Sequence, residues 1–289
     1  MPIKILITGA NGQLGREMRL LLDGDSRFEV AYTDVAELDI TSREAVDSFV
    51  AHFQPHYIVN CAAYTAVDRA EDDEATAALL NTQAVAILAQ AAASCDARMV
   101  HVSTDYVFDG QACRPYREDD ATHPTSAYGR TKLGGELALL TILPGEAVVL
   151  RTAWLYSPHG NNFVKTMIKL GRERRELRVV YDQVGNPTSA TDLARAIVTV
   201  LTASEWHPGI YHYAGEGAVS WYDFTMAIHR LAGITSCDVQ PCLSHDYPTR
   251  AIRPHYSVLD KAKFKSIFRT TIPHWEQSLA ECMKRLTSE

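Results

Sequence analysis

No run of about eighteen apolar residues occurs in the 289-residue chain, so no segment is expected to cross a bilayer as a helix. The opening Met-Pro-Ile-Lys leads straight into a short apolar run, without the cleavage pattern of a signal peptide. The six cysteines (61, 95, 113, 237, 242 and 282) form no CxxC pair and share no zinc-ligand spacing with histidine. Reduced thiols in a cytoplasmic protein are therefore expected. Positive charge is also scarce: 28 Lys and Arg stand against 35 Asp and Glu, a net charge of −7. That balance provides no electrostatic footprint for nucleic acid or an anionic membrane. One local basic run, Arg172-Glu173-Arg174-Arg175, reads as a solvated helix face. Internal repeats and low-complexity segments are missing as well.

What the chain does have is 46% hydrophobic residues and enough length for one large domain, or a core plus a smaller lobe. Strand-length apolar runs fall at 3–8, 29–34, 57–61, 98–104, 147–156 and 177–182. Helix-period segments fall between them at 12–23, 42–53, 74–94 and 126–142. The strands are continuously apolar rather than alternating, and most are followed by a helix. This pattern predicts an α/β, Rossmann-type doubly wound parallel sheet. After about residue 155 the pattern loosens into loops rich in Pro, Gly and Asn. The expectation is a dinucleotide-binding domain over 1–155 with returning segments near 189–215, and a substrate-binding lobe mainly over 156–289.

The first strand runs into "TGANGQLG", which spaces Gly9, Gly12 and Gly15 as GxxGxxG ahead of a helix. Glycines there let a pyrophosphate approach the backbone, and the helix N-terminus supplies free N–H groups and positive dipole. Gly9, Asn11, Gly12, Gln13, Leu14 and Gly15 are thus candidate cofactor contacts. Asp34 closes the second strand, where a carboxylate takes the ribose hydroxyls of NAD and repels a 2′-phosphate. Arg16 and Arg43 lie near enough in sequence to leave the choice between NADH and NADPH open. Asp39 and Ile40 fall where an adenine ring would lie; Asp39 reads equally as part of a turn before helix 42–53. After the third strand, the small Ala62 and Ala63 beside Tyr64 leave room for a flat cofactor at the carboxyl edge of the sheet. Asn81, a lone polar residue in an apolar helix, reads either as a satisfied buried amide or as an active-site anchor.

Tyr128 and Lys132 lie four apart in "SAYGRTKLGGE" and so on one helix face. An ammonium nearby favours phenolate and brings Tyr128 toward use as an acid or base near neutrality. Thr104 ends its strand with a hydroxyl able to hold a carbonyl oxygen. Together with a nicotinamide these three make a carbonyl reductase or alcohol dehydrogenase.

The order of glycine loop, strand-end Ser-Thr and YxxxK resembles the extended branch of the short-chain dehydrogenase/reductase superfamily. Within it, "NCAAYTAVDRAE", "STDYVFDG", "AYGRTKLGGE", "RTAWLY", "NNFVKTM", "DQVGNPT" and "RPHYSVLD" resemble the dTDP-4-dehydrorhamnose reductases, from residue 3 to about 265. The resemblance implies hydride transfer from NADPH or NADH to C4 of a dTDP-6-deoxy-4-keto-hexose. Tyr128 would protonate the developing alkoxide. Lys132 would lower the pKa of Tyr128 and bind the nicotinamide ribose, and Thr104 would hydrogen-bond the oxygen. It also implies substrate contacts at Thr65, Val67, Asp105, Tyr106, Trp154, Asn162, Phe163, Gln183 and Arg253. Trp154 and Phe163 read equally well as core aromatics. Related sugar-nucleotide dehydratases carry Asp-Glu after the threonine, whereas Tyr106 stands here after Asp105; a phenol is a poor acid for expelling water, so the resemblance favours simple reduction. The rival readings are a non-catalytic NADP(H)-binding regulatory subunit and another nucleotide-sugar 4-ketoreductase or epimerase. No catalytic metal is expected. A structural Mg2+ is left open, with Glu17 and Asp192 the nearest acidic residues to an interface, and the chain is expected to be a monomer or homodimer.

Overall fold

Side chains alternate faces along a strand, and here both faces are apolar. In strand β1 (Ile3–Thr8) Ile5 and Ile7 point to one layer and Leu6 to the other. The same division holds in β2 (Phe28–Thr33), β3 (Tyr57–Asn60), β4 (Arg98–Thr104), β5 (Ala147–Thr152) and β6 (Gly209–His212). A computed structural model, describing residues 1–288, joins these six into one sheet of order β6-β5-β4-β3-β1-β2. Every neighbouring pair is parallel. Helices α1 (Gln13–Leu22) and α6 (Ala190–Leu201) cover one face, through Leu14, Met18, Leu193 and Ile197. On the other lie α2 (Arg43–Phe53), α3 (Glu74–Ser94) and α4 (Ala127–Ile142), through Val46, Val50, Leu88 and Leu139.

The strand order reverses between β1 and β3, and ligand crevices open outside the carboxyl ends of the strands at such a switch point. A second core, containing Val164, Leu177, Val219, Phe224 and Leu279, belongs to the lobe. It is enclosed by α5 (Phe163–Glu173), α7 (Trp221–Leu231) and α8 (Trp275–Ser288).

Two expectations are corrected. The apolar run predicted at 177–182 does form a strand, Glu176–Val180, but it pairs with Asp238–Cys242 in the lobe. The sixth strand of the main sheet is β6, a four-residue "GIYH" too short to stand out in the sequence. The run 147–156 is also not one strand. Trp154 sits at φ 47°, a left-handed conformation that an extended strand cannot hold. The chain therefore leaves the sheet after Thr152 and pairs again at Leu155–Tyr156 with Thr188–Ser189.

Helix α3 has a 21-residue span and a mean hydropathy of 1.3, enough by length and composition to cross a membrane. Its apolar side chains are in fact spent on the sheet and on α2 and α4. A π-turn at Leu79–Gln83 shifts its register and pushes the Asn81 carbonyl against Gly135 of α4. Only a residue without Cβ fits there. Gly135→Ala is expected to lower stability by about 1–3 kcal/mol through overpacking, read as a lower urea midpoint at unchanged slope.

Candidate active site

Gly9, at φ 65°, makes the turn out of β1, and a Cβ there would lie 2.7 Å from the Ala62 backbone. The glycine loop thus packs directly on the end of β3. Gly12 stands at the N-cap of α1 with no side chain closing the first turn, which leaves that turn's N–H groups available to an anion. Asn11, Gln13 and Leu14 line the same cleft, of about 840 Å³. Gly15 does not; it is buried beneath the loop against the Gly9 carbonyl. The Asp34 carboxylate accepts the Asn11 N–H at 3.0 Å and the Val35 N–H at 2.9 Å, tying β2 to the loop. Arg16 donates to the Asn11 carbonyl at 3.0 Å from outside that loop. Asp39 and Ile40 line the cleft beside Leu38. Asp39 also accepts the N–H and hydroxyl of Thr41, which hold its carboxyl below the usual range; Ser42, not Asp39, caps α2.

Ala62, Ala63, Thr65 and Val67 continue the wall, while Tyr64 does not face it. Asn81 explains why the chain holds its path here: its side chain accepts the Tyr64 N–H at 2.9 Å and donates to the Tyr64 carbonyl at 3.1 Å and to Thr131 at 3.2 Å. It is the satisfied buried amide of the two readings, and it fixes the loop next to the site rather than entering it.

Opposite the glycine loop, Thr104 ends β4 and caps a single turn over Asp105–Val107 through the Tyr106 N–H, 3.2 Å away. Its hydroxyl donates to the Asp105 carboxylate at 2.9 Å and lies near enough to the Tyr128 phenol to influence its pKa. Burial pushes the Asp105 carboxyl up to about 6. The rings of Tyr106 and Tyr128 meet edge to face, centroids 5.5 Å apart. The Tyr106 hydroxyl accepts from Arg253 at 2.9 Å, and Asp68 holds the other arm of that guanidinium at 2.6 Å. Tyr128 and Lys132 both line the cleft, as the four-residue spacing required.

The electrostatics differ from the expectation in one respect. Burial raises the Tyr128 phenol, and the Thr104 hydroxyl is the group opposing that shift. The Lys132 amine donates to the Val102 carbonyl at 2.7 Å and lies 3.3 Å from His101 Nε2. Burial brings its own pKa down from 10.5 to about 8. The arrangement thus presents a protonated phenol beside a hydroxyl, with a weakly basic amine one helical turn behind.

On the lobe side, Trp154, Asn162 and Phe163 line the cleft. The left-handed turn at Trp154 lays its indole flat on Trp221, centroids 3.4 Å apart and planes within 8°. Asn162 caps α5 and also donates to Gln13 at 2.9 Å, bridging lobe and glycine loop. Gln183 does not reach the cleft; its amide donates to Ser244 at 2.9 Å. Trp221 and Phe224 were missed, although they line the cleft; an aromatic pair at i, i+3 on an amphipathic helix reads as core from sequence alone. Glu17 is buried against Arg285, Thr191 and His159, and Asp192 against Arg195 and Ser278. All six cysteines are free.

With the geometry in place, the comparisons are direct. The family model described as "RmlD substrate binding domain" matches residues 3–288. The chain belongs to this family. A dTDP-4-dehydrorhamnose reductase of Aggregatibacter actinomycetemcomitans is 42% identical over 285 residues, covering 96% of this chain and 97% of the relative. A dTDP-4-keto-6-deoxy-D-glucose reductase of Streptomyces niveus is 40% identical over 289 residues, covering 100% and 99%. The solved dTDP-4-dehydrorhamnose reductase of Bacillus anthracis, in complex with NADP, superposes with a TM-score of 0.94 at 35% identity, covering 99% and 100%. The Rossmann-like parallel sheet is thus common to family and chain.

The depressed Lys132 has a consequence for stability. Between pH 8 and 10.5 the unfolded chain binds the proton that the folded site does not, so stability rises with pH across that window. At about 1.4 kcal/mol per unit the gain is on the order of 3 kcal/mol. Urea midpoints taken at the two ends of the window should show this slope in the wild type, and a much smaller one in Lys132→Met.

Proposed function

We propose that the protein reduces the C4 ketone of dTDP-4-dehydro-L-rhamnose to dTDP-L-rhamnose, the last step of dTDP-rhamnose biosynthesis, with NADPH or NADH. The observation that carries the reading is the meeting of Thr104, Tyr128 and Lys132 in one cleft with the glycine loop. Full-length likeness to reductases of dTDP-keto sugars supports it.

The residues present fit a dinucleotide. Gly9 leaves a backbone cradle that a Cβ would fill, the first turn of α1 lacks a side-chain cap, and Asp34 closes β2. A bound reduced nicotinamide supplies the hydride. As negative charge develops on the C4 oxygen, Thr104 donates a hydrogen bond to it and Tyr128, held protonated by burial, transfers its proton. Lys132 then returns a proton toward the phenolate; an amine with pKa near 8 gives it up readily. Tyr106, fixed by Arg253 and Asp68, binds a sugar hydroxyl, and the lobe aromatics Trp154 and Phe163 with Asn162 and Arg253 hold the nucleotide. Residues 1–155 with 189–215 serve the cofactor in this reading, and the rest mainly the sugar nucleotide. The protein acts in the cytoplasm as a monomer or homodimer, with no nucleic-acid or membrane partner.

The deciding assay follows the absorbance of reduced nicotinamide with dTDP-4-dehydro-L-rhamnose, using NADPH and NADH in turn. Oxidation that requires the sugar nucleotide supports the reductase; cofactor binding without turnover of this ketone would overturn it and favour a regulatory, non-catalytic protein. Tyr128→Phe should keep cofactor affinity while kcat falls by about 10²–10⁴, the usual share of a general acid; a near-wild-type rate would remove Tyr128 from the mechanism. Asp34→Ala should shift preference toward NADPH, since it removes the charge that repels a 2′-phosphate. It also loosens the Asn11 contact, so affinity for both cofactors should drop. An unchanged NADH-to-NADPH ratio of kcat/KM would show that Asp34 does not read the ribose.

A further inference from the structure

Behind Lys132 lies a row of buried polar groups that the reaction as described does not use. Asn60 at the end of β3 and His101 in β4 are 1% and 0% exposed, and Lys132 is 1% exposed. Asn60 Nδ2 lies 3.1 Å from His101 Nδ1, and His101 Nε2 lies 3.3 Å from Lys132 Nζ.

Hydrogen positions along this row follow from one unambiguous donor. The Ala62 backbone N–H, which can only donate, points at Asn60 Oδ1 at 3.1 Å, and the Thr8 hydroxyl donates to the same oxygen at 2.7 Å. That fixes the amide orientation, so the group facing His101 is the Asn60 NH2, a donor without a lone pair to offer. His101 Nδ1 is then an acceptor. A neutral imidazole with an accepting Nδ1 carries its hydrogen on Nε2, the nitrogen that faces Lys132. Burial beside the lysine also keeps His101 neutral by holding its pKa well below the usual value.

We propose that His101 is a positioning residue for Lys132: Asn60 fixes its ring as the tautomer with hydrogen on Nε2, and that N–H is aimed at Nζ, where it meets the lone pair of the neutral amine. The Val102 carbonyl accepts one of the amine's own hydrogens at 2.7 Å, so the neutral form has a donor and an acceptor ready for it, whereas an ammonium meets a second N–H. The other titratable groups around Lys132 are Tyr128 and Glu136, each one turn away on α4. Glu136 is paired bidentately with Arg151 of β5, at 2.7 and 3.0 Å, and its charge opposes the effect of burial on Lys132 without outweighing it. Cys61, just past β3 and half-buried at the cleft wall, has its thiol pushed up to about 12 by desolvation and so stays neutral. In the reductase reading, on which this inference rests for its meaning in turnover, the row makes Lys132 a ready proton donor toward Tyr128 by stabilising the amine left behind.

The test uses isotopically labelled full-length protein without cofactor, so its outcome is independent of whether the enzyme turns over any given ketone. The 15N shifts and one-bond N–H couplings of His101, assigned with His101→Gln, report the tautomer directly. The Lys132 CεHε resonance, assigned with Lys132→Met, reports the titration of Nζ. The proposal expects Nε2–H in the wild type, retained in Lys132→Met because Asn60 and not the lysine sets it. Asn60→Asp is nearly isosteric and still accepts from Ala62 and Thr8, but offers His101 an acceptor in place of a donor. There the hydrogen should move to Nδ1, the Nε2 lone pair should face Nζ, and the Lys132 midpoint should rise by at least tenfold in proton affinity. An Nδ1–H wild type overturns the proposal. So does a raised midpoint in Asn60→Asp with the Nε2–H tautomer kept, which would be the effect of the added charge alone, and so does a moved tautomer with an unchanged midpoint. Absence of ketone reduction with these spectra as expected would instead remove the reductase reading and leave the row in place.

Discussion

The burial of a single amine, Lys132, is the constraint around which this site is built. A charged group moved out of water loses solvation that only nearby partners can restore. Here the Val102 carbonyl accepts from the amine at 2.7 Å, the His101 ring lies 3.3 Å away, and the Glu136 carboxylate, held by Arg151, stands one turn along the helix. His101, Glu136 and Arg151 are themselves buried, so each needs partners in turn. Asn60 serves His101, Thr8 and the Ala62 N–H orient Asn60, and the Arg151 guanidinium lies over the Phe108 ring. Thr8, Asn60 and His101 are register partners across β1, β3 and β4, and α4 carries the row on to Arg151, two residues further along β5. Shifting any one of these elements by a residue would strand a buried donor or acceptor, at a cost comparable to a sizeable fraction of a domain's net stability.

The two walls of the cleft are held by different physics. On the glycine-loop side the wall is mostly backbone: Gly9 against Ala62, the uncapped first turn of α1, and the Asp34 carboxylate bridging two N–H groups. Such a wall is rigid because each turn is set by main-chain geometry. On the lobe side it is side chains: the stacked Trp154 and Trp221, Phe163 beside them, and Arg253 stretched between Tyr106 and Asp68. Those contacts depend on loops returning from distant parts of the chain, and Asn162 reaching to Gln13 is the stitch that keeps the two walls in register.

Much of the site was legible because its chemistry is local in sequence. Gly9, Gly12 and Asn11 are set by one turn, Tyr128 and Lys132 by one helical repeat, and Thr104 by the end of an apolar strand. Each of these pairings is made by the backbone within a few residues, so spacing was sufficient. Gln183 was misplaced for the opposite reason. It lies in a lobe loop whose side-chain direction depends on Ser244, some sixty residues on. Trp221 and Phe224 were invisible because a helix face turned toward a cleft carries the same periodicity as one turned toward a core. The electrostatics of Tyr128 and Lys132 were set by burial rather than by spacing: four residues put the two on one helix face, but burial raises the phenol and the amine donates to the Val102 carbonyl of the neighbouring strand.

By itself the sequence determined the parallel α/β core and the GxxGxxG and YxxxK spacings, because hydrophobic periodicity and short-range spacing follow from backbone geometry alone. Tertiary structure decided the rest. The sixth strand is the four-residue β6 rather than the longer apolar run at 176–180, since a strand joins the sheet by the edge it finds free and not by its own composition. The break at Trp154, the aromatic wall it creates and the lowered pKa of the Lys132 amine were likewise fixed only when segments far apart in the chain came into contact. Burial and donor–acceptor matching are properties of that contact, and no stretch of sequence carries them alone.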